Sequence, residues 1–408
     1  DLNQLSDILN IQIARRNKNI QEISYNNFLM MGFPDHALLK FRNILLNHNY
    51  TIVKVDQITC PPNPERAVTE IISPATIIDQ YNKSDTNYLV SLYIDIYPTA
   101  NMNTNIHSIG FSVIDIATGK NYVHKIESTV EDQKIWNDEC YRLIHYYNPS
   151  ELIIHYNNEK INLSKEYVSQ EWMIDPTIIH INLVQSKQYL KLSYQNEFLN
   201  KYFKQHNCLS PIEYLGFEMD SEITLSYIYM LQFIHEHKIE NTMSLRKPEF
   251  IQNQHYLLLS HNCIEQLYVI DNKEHTNEKY SSLLSILNKC STAIGRRLCK
   301  ERLLYPILDP NKINERYDTI ELFQGKSENK YIYELCKPNL KKIIDIEKLH
   351  RKMGLSILNP YEFKSLHNSY QYIQKISEQL QKIESFESFM GQYNDLLQLL
   401  TEFMIHYQ

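Results

Sequence analysis

The sequence predicts a multidomain chain: an α+β module, then an α/β unit, then a mainly α-helical region. Three observations predict this. A length of 408 residues exceeds what one hydrophobic core normally serves, so roughly two to four units are expected. As far as His155, short apolar runs alternate with polar residues and turn signals, the pattern of strands mixed with helices. From about Cys208 the apolar residues recur every three to four positions, which is helical spacing.

Residues 1–80 form the first expected unit. Leu5, Ile8 and Leu9 suggest the end of a helix. Gly32-Phe33-Pro34 is a turn ahead of a helix with the stripe Leu38, Leu39, Ile44, Leu45 and Leu46. Tyr50–Val55 and Ala67–Ile72 alternate like strands, and Cys60-Pro61-Pro62-Asn63-Pro64 is a loop between them. The second unit spans 87–185. Tyr88–Ile96 is a strand, and Ile109–Ile116 is another that closes in a Thr118-Gly119 turn. Asn121–Ile126 returns as a hairpin partner. A helix over Gln133–His145 and a strand over Glu151–His155 follow. Asn101–Asn105 reads as a loose polar loop.

The third unit, 208–408, opens with an amphipathic helix carrying Ile223, Leu225, Ile228, Leu231 and Ile234. Its most informative stretch is Leu283–Phe323. Leu283, Leu287, Cys290, Ile294 and Leu298 form one helical stripe, with Lys289, Arg296, Arg297 and Lys300 on the other face. Pro306 stops that helix, because it lacks an N–H and clashes with the preceding turn. Asp309 is expected as N-cap and Pro310 as first residue of a second helix with the stripe Ile313, Tyr317, Ile320 and Phe323. Gly325 is expected to end it in a left-handed conformation. A helical pattern over Leu396–Tyr407 closes the chain.

The net charge of −7 argues against wholesale polycationic binding. Charge distribution matters more: residues 283–352 carry 15 Lys and Arg against 9 Asp and Glu, net +6, and are expected to face phosphates. The seven cysteines are scattered without a C-x-x-C, which reads as reduced, intracellular thiols. No apolar run is long enough to cross a membrane. The chain begins at Asp1 rather than Met, so a piece of a longer protein is expected.

No catalytic, metal or nucleotide site is expected. Gly325-Lys326-Ser327 is the tail of a P-loop motif, but Ile320 stands where the earlier Gly belongs and the preceding segment is helical. Asp95 and Asp115 lie on expected neighbouring strands, yet a two-metal site needs three or four convergent acids, so they are read as turn caps or solvent-facing groups. His36, His235 and His237 form no catalytic set. Arg15, Arg16 and Lys18 form a compact basic cluster, the chemistry of phosphate contacts that position a duplex without reading bases.

The order of motifs carries a resemblance. Thr292-Ala293-x-Gly295-Arg296-Arg297-Leu298, then Leu304-x-Pro306-x-Leu308-Asp309-Pro310-x-x-Ile313-x-x-Arg316, resembles the start of the core/lever domain of MutS DNA mismatch-repair proteins. Asp345-Ile346-Glu347-Lys348-Leu349-x-Arg351-Lys352 and Asn359-Pro360-x-Glu362-x-x-x-Leu366 are similar to later parts of that domain. Leu9-x-Ile11-x-Ile13-x-Arg15-Arg16, Gly32-Phe33-Pro34-x-His36, Val55-Asp56-Gln57, Arg66-x-Val68 and Ser73-Pro74-Ala75-Thr76 resemble the second half of the mismatch-binding domain. Residues 87–185 resemble the connector, a ribonuclease-H-like domain that is non-catalytic in the family.

The resemblance implies binding of mismatched or distorted double-stranded DNA, with Arg66 as a further contact. It implies an ATPase domain, with ATP and Mg²⁺, outside these residues, a dimer at full length, and a repair-protein partner at the connector. In the family a Phe-x-Glu wedge lies just before this region, at a place that would precede Asp1, and whether it is there decides between mismatched and branched DNA. Ala75 departs from a usual Gly, and Ala67 and Glu70 from common basic residues; the Glu70 carboxylate repels a phosphate backbone. Two other readings keep the architecture or drop the DNA: a MutS-like protein acting on branched recombination DNA, with or without an added nuclease, and a partner-binding scaffold. A mid-helix Gly costs about 1 kcal/mol, so Gly295 is read as a close-packing point, Arg296 and Arg297 as facing neighbouring helices, and Pro306–Pro310 as a lever joint.

Overall fold

The centre of the molecule is a six-stranded mixed sheet, and its inner stretches, such as 89–94, 109–116 and 151–154, are buried because helices cover both faces. A computed structural model describes residues 2–17, 19–60, 62–77, 86–98, 105–157, 163–184, 188–204, 208–237, 245–251, 255–257, 259–270, 280–327 and 330–406.

Ahead of the sheet lie α1 (Leu2–Leu9), β1 (Ala14–Arg15), β2 (Leu29–Met30), α2 (Leu38–Asn47), β3 (Ile52–Gln57) and β4 (Arg66–Ile72). β1 pairs with β2 and β3 with β4, each antiparallel, as two separate two-stranded sheets. The Tyr50–Val55 and Ala67–Ile72 strands of the sequence reading are β3 and β4. Leu46 of α2 packs on Ile72 and Ile77.

The sheet comprises β5 (Tyr88–Pro98), β6 (Asn105–Asp115), β7 (Lys120–Glu127), β8 (Glu151–Tyr156), β9 (Ile179–Leu183) and β10 (Glu249–Phe250). Its order is β10-β7-β6-β5-β8-β9. β5, β6 and β7 form an antiparallel meander, while β8 and β9 run parallel to β5 and β10 parallel to β7. The β6–β7 turn closes at Gly119, whose φ of +76° suits a residue without Cβ. The expected loop at Asn101–Asn105 lies outside the described residues, except that Asn105 begins β6.

Alternate side chains of β5 serve opposite layers. Val90, Leu92 and Ile94 join Cys140, Leu143 and Ile144 of α3 (Ile135–Tyr147), Val168 of α4 (Lys165–Glu171) and the following Trp172. Leu89, with Ile114 and Ile153, meets α5 (Leu192–Asn200), α6 (Pro211–Leu215) and α7 (Ser221–Glu236). α6 and α7 therefore pack on the sheet although they lie beyond residue 208. The helix read as amphipathic over Ile223–Ile234 is corrected: α7 is buried nearly all round. Small residues of the sheet admit its backbone. Gly110 lies against the Glu222 carbonyl, and Ser226 Oγ donates to the Ser91 carbonyl (2.8 Å).

The segment Ser73–Ile77 is moored to the sheet by one carboxylate. Glu151 Oε2 accepts from Ser73 Oγ (2.5 Å) and from the Ala75 N–H (3.0 Å), and Oε1 lies 3.1 Å from His180 Nε2. Ala75 is fully buried, so its Cβ is accommodated where the family usually has Gly. Glu151→Ala is expected to destabilise by about 2–3 kcal/mol, because the buried Ser73 and Ala75 donors lose their acceptor. Glu151→Gln, which keeps an acceptor, should cost less; urea unfolding of the two variants checks the ranking.

The remaining helices are α8 (His261–Gln266), α9 (Leu283–Leu287), α10 (Ala293–Leu304), α11 (Pro310–Gln324), α12 (Ile332–Leu340), α13 (Ile346–Gly354), α14 (Pro360–Gln381), α15 (Glu387–Gly391) and α16 (Asn394–His406). Ile264 of α8, Val269 and Leu304 of α10 form one cluster with Tyr146 of α3, and two more hold the later helices. Ile332, Cys336, Leu380 and Phe386 form one of these, and Leu349, Leu366, Tyr370 and Met404 the other.

Several local expectations here are corrected. The stripe from Leu283 to Leu298 is two helices, because Thr292 Oγ1 accepts from the Gly295 N–H (3.1 Å) and starts α10 afresh. Gly295 is close-packed, but against its own cap: a Cβ there would lie 3.0 Å from Thr292 Oγ1 and 3.3 Å from Cys290 Cβ. In α11, Asp309 caps and Pro310 leads as expected, yet Tyr317 and Ile320 are exposed, and Leu322 and Phe323 carry the packing. Gly325 ends α11 at φ −55°, not left-handed. The Pro306–Leu308 corner is pinned: the Leu257 N–H donates to the Pro306 carbonyl (2.8 Å), and the Leu308 N–H to the His255 carbonyl (3.0 Å).

Candidate nucleic-acid interface

The first cationic group stands on the β1–β2 ribbon. Asn27, itself buried, organises the loop that joins the strands: Oδ1 accepts from the Asn17 N–H (2.8 Å), and Nδ2 donates to the carbonyls of Ile20 and Glu22 (2.9 Å each). The Arg16 N–H donates to the Phe28 carbonyl (3.2 Å), and its guanidinium lies over the Phe28 ring at 5.7 Å. Arg15 is half-buried in β1 and Arg16 is exposed. Lys18, the third member of the expected cluster, lies outside the described residues. Arg66 is exposed at the start of β4, opposite Gln57. It belongs to a different strand pair from Arg15 and Arg16, so the structure joins the first two only.

Arg15, Arg16 and Arg66 form no ion pair among the described residues, in contrast to Lys54, which pairs with Asp56 (2.8 Å). Glu70 stands opposite Lys54 in the ladder. Sequence reasoning did not single out the aromatic residues of this part of the chain. Tyr25 is 96% exposed, Phe28 is exposed, and Phe33 packs at a tilt against Phe41 with centroids 4.6 Å apart, while Lys40 Nζ stands 5.5 Å from the Phe41 ring centre. The legible signal was aromatics interleaved with cations between the Arg15-Arg16 pair and Pro34.

In the second expected phosphate-facing region, 283–352, three cations turn inward: Arg297, Arg351 and Lys352. Arg297 is 8% exposed and donates to Asp345 (2.7 and 2.8 Å) and to Glu347 (2.5 Å). Lys120, at the sheet hairpin, also pairs with Glu347 (2.9 Å), and Lys352 pairs with Glu362 (2.6 Å). Arg351 is buried, and its Cδ would lie 3.2 Å from a Cβ at Gly119. Burial pushes Arg351 below the usual guanidinium range. These cations tie α10, α13, α14 and the sheet together. Arg297 thus faces its neighbours, as the sequence reading had it.

The paired-carboxylate and phosphate-loop readings meet contrary geometry among the described residues. Asp95 stands opposite Ser108 and Asp115 opposite Tyr88, so the two carboxylates are separated by about 23 Å along the strand at ~3.3 Å per residue. Asp115 is a turn cap that accepts from the Ala117 N–H (3.0 Å) and Thr118 Oγ1 (2.9 Å), with its pKa raised by burial. Gly325 follows a helix, and Lys326–Ser327 pairs antiparallel with Lys330–Tyr331, so the strand and glycine loop of a phosphate cradle are missing there. No group of three or more His, Cys, Asp or Glu placed to hold a metal occurs among the described residues. No helix among them is long and apolar enough to cross a membrane.

Comparison with known proteins gives the same direction. Residues 2–81 match the family model of MutS domain I, and residues 262–406 that of MutS domain III. A DNA mismatch repair protein mutS homolog of Acanthamoeba polyphaga mimivirus is 34% identical over 402 residues, covering 92% of this chain and 35% of that protein. A DNA mismatch repair protein MutS of Caldanaerobacter subterraneus is 26% identical over 365 residues, covering 87% of this chain and 38% of its own length. A mitochondrial DNA mismatch repair protein mutS homolog of Sarcophyton glaucum is 25% identical, with 97% and 43% covered. The chain spans well under half the length of these relatives. The two matched domains flank the six-stranded sheet in the order that the sequence motifs imply, and the chain belongs to the MutS family of DNA mismatch-repair proteins.

Proposed function

We propose that this chain supplies DNA-contacting and relay parts of a MutS-type mismatch-recognition protein. The observation that carries the reading is that Arg15, Arg16 and Arg66 of the domain I region form no ion pair among the described residues, with Arg16 over the exposed Phe28 ring. Such cations hold a duplex by its phosphates. Selectivity would come from deformability, since a mispair lowers the cost of bending the DNA that the protein grips. Residues 87–185 act as the connector: the meander β7-β6-β5 extended by parallel β8 and β9 has the strand order of ribonuclease-H-like folds, which supports that assignment. The full-length protein would be a dimeric ATPase using ATP and Mg²⁺ at residues outside this chain, with a repair-protein partner at the connector.

The test is fluorescence anisotropy of the full-length protein with matched and mismatched duplexes, with and without ATP. Tighter binding to the mismatch is expected; equal affinities unaffected by ATP would remove the mismatch reading. Reversing charge at Arg15, Arg16 and Arg66 should weaken binding to all duplexes alike and lower the salt dependence by about one unit per lost contact. Unchanged binding in the triple variant would favour the scaffold reading.

A further inference from the structure

Cys290 is held over the first turn of α10 by anchors on either side of it. Asn288 Nδ2 donates to the Arg296 carbonyl (3.4 Å), and Thr292 Oγ1 accepts from the Gly295 N–H (3.1 Å). The side chain between these anchors fills the space that Gly295 leaves. Cys290 Cβ and Sγ stand 3.3 and 3.6 Å from the place of a Cβ on Gly295. Cys299 follows Gly295 by four residues on the same face of α10. Helical side chains lean toward the N-terminus, so the Cys299 thiol lies over the turn that Cys290 covers. The two thiols meet there in a hydrogen bond.

Cys290 and Cys299 are both half-buried, within reach of a small oxidant, while Cys140 and Cys336 are buried. A thiol packed singly acts as a small apolar group. Two thiols in contact can do more, since an S–S bond of about 2 Å is a short step from hydrogen-bond distance. Room for that step comes from the missing Cβ of Gly295, beside which both side chains lie.

We propose that Cys290 and Cys299 are a redox-sensitive pair, which hydrogen peroxide joins in a disulfide that fastens the α9–α10 junction and a dithiol reductant reopens. The Cys290 sulfur attacks one peroxide oxygen, the O–O bond breaks, one water leaves, and Cys290 becomes a sulfenic acid. The Cys299 sulfur then attacks that sulfur and displaces the hydroxyl, which takes the Cys299 proton and leaves as a second water. Two thiols are oxidised to one disulfide, and both peroxide oxygens are reduced to water. The surroundings set the order of the steps. Burial and the neighbouring thiol raise the Cys299 pKa against an opposing pull from Arg302, so Cys299 is the slower thiol toward peroxide and suits the second step. The bond would close a short loop across the break before α10, the helix that carries Arg297. It involves none of the arginines assigned to DNA contact, so it stands or falls separately from that reading.

Peroxide treatment of the full-length protein, alkylation with N-ethylmaleimide without reductant, and tryptic digestion test it. Trypsin cuts after Lys289, Arg296, Arg297 and Lys300, so the two cysteines fall in separate peptides, 290–296 and 298–300. The expected product is these two peptides linked, lighter by two hydrogen atoms than their sum and separated by dithiothreitol. Cys60 and Cys208, though exposed, should be recovered alkylated. Hydrogen exchange at amides of the first turns of α10 should slow by at least about tenfold on oxidation, because a closed short loop opposes local opening. Cys290→Ser and Cys299→Ser, each close to the native shape, should give neither the link nor the slowing. Full alkylation of both cysteines after peroxide, oxidation of either to a sulfinic acid without a link, or links to other cysteines overturns the proposal. A link that leaves exchange in α10 unchanged overturns it as well.

Discussion

Replacing Arg297 by Met is expected to destabilise the helical region by about 3 kcal/mol, because two carboxylates that share one buried guanidinium are left without it. The loss should be largest around α10 and α13, whose junction Arg297 forms with Asp345 and Glu347. A chain of several units need not unfold in one step, so hydrogen exchange at amides of these helices is the direct measurement. Adding Asp345→Asn and Glu347→Gln to Arg297→Met should recover part of the loss, since the cost comes from orphaned charge. Recovery of nothing would mean that packing of the arginine stem dominates. The same junction makes a pH prediction. Burial pushes both carboxyls up, but hydrogen bonds and charge from Arg297, and from Lys120 at Glu347, outweigh it and hold both below their ordinary values of 3.8 and 4.5. Carboxyls with depressed pKa values stabilise the fold above the unfolded-state value and lose that contribution as pH falls through the folded one. The junction should therefore loosen below about pH 4 and be unaffected between neutrality and about pH 5.

Gly110→Ala is the second large effect. A Cβ on Gly110 would stand 1.9 Å from the Glu222 carbonyl oxygen and 2.6 Å from the Ile223 nitrogen. Both contacts are backbone, on a strand and a helix that cannot yield separately, so α7 must lift from the sheet. A cost of at least about 3 kcal/mol is expected, at the upper end for added bulk in a packed core. Both tryptophans, Trp136 and Trp172, lie in the sheet unit, so fluorescence during urea unfolding reports on this region directly. Ser226→Ala, which removes the bond to Ser91 but adds no bulk, should cost about 1 kcal/mol. If Gly110→Ala proved as mild as Ser226→Ala, the close approach of α7 would not be what holds the layer.

The contrast between these two sites shows what was legible in the sequence. The sheet hairpin could be read because its signals are local: the apolar run Tyr88–Ile96, the Thr118-Gly119 turn, the return over Asn121–Ile126. The helix starts at Asp309-Pro310 and Asn359-Pro360 were equally local, and both stand. The break before α10 was hidden because Leu283, Leu287, Cys290, Ile294 and Leu298 also fit one continuous helix, and a single hydroxyl on Thr292 decides against it. The burial of α7 depends on Gly110 and Ser91, more than a hundred residues earlier, and no periodicity within the helix announces that. For charge the lesson is the same. Net +6 over residues 283–352 suggested an outward face, whereas Arg297 finds its partners 48 and 50 residues away. Arg15 and Arg16 were read from their clustering in sequence and Arg66 from the family resemblance, and none of the three forms an ion pair among the described residues.

The Lys120–Glu347–Arg297–Asp345 cluster has a consequence for how such sequences drift. Glu347 answers to two cations on separate elements, and Arg297 answers to two acids. Loss of Arg297 strands Asp345, and loss of Glu347 leaves Lys120 without this acid and Arg297 with one acid instead of two. Among relatives that keep this packing, the four positions should vary as a set, exchanged together for apolar or uncharged residues or retained together. Correlated substitution at 120, 297, 345 and 347 would be the evolutionary record of one shared guanidinium.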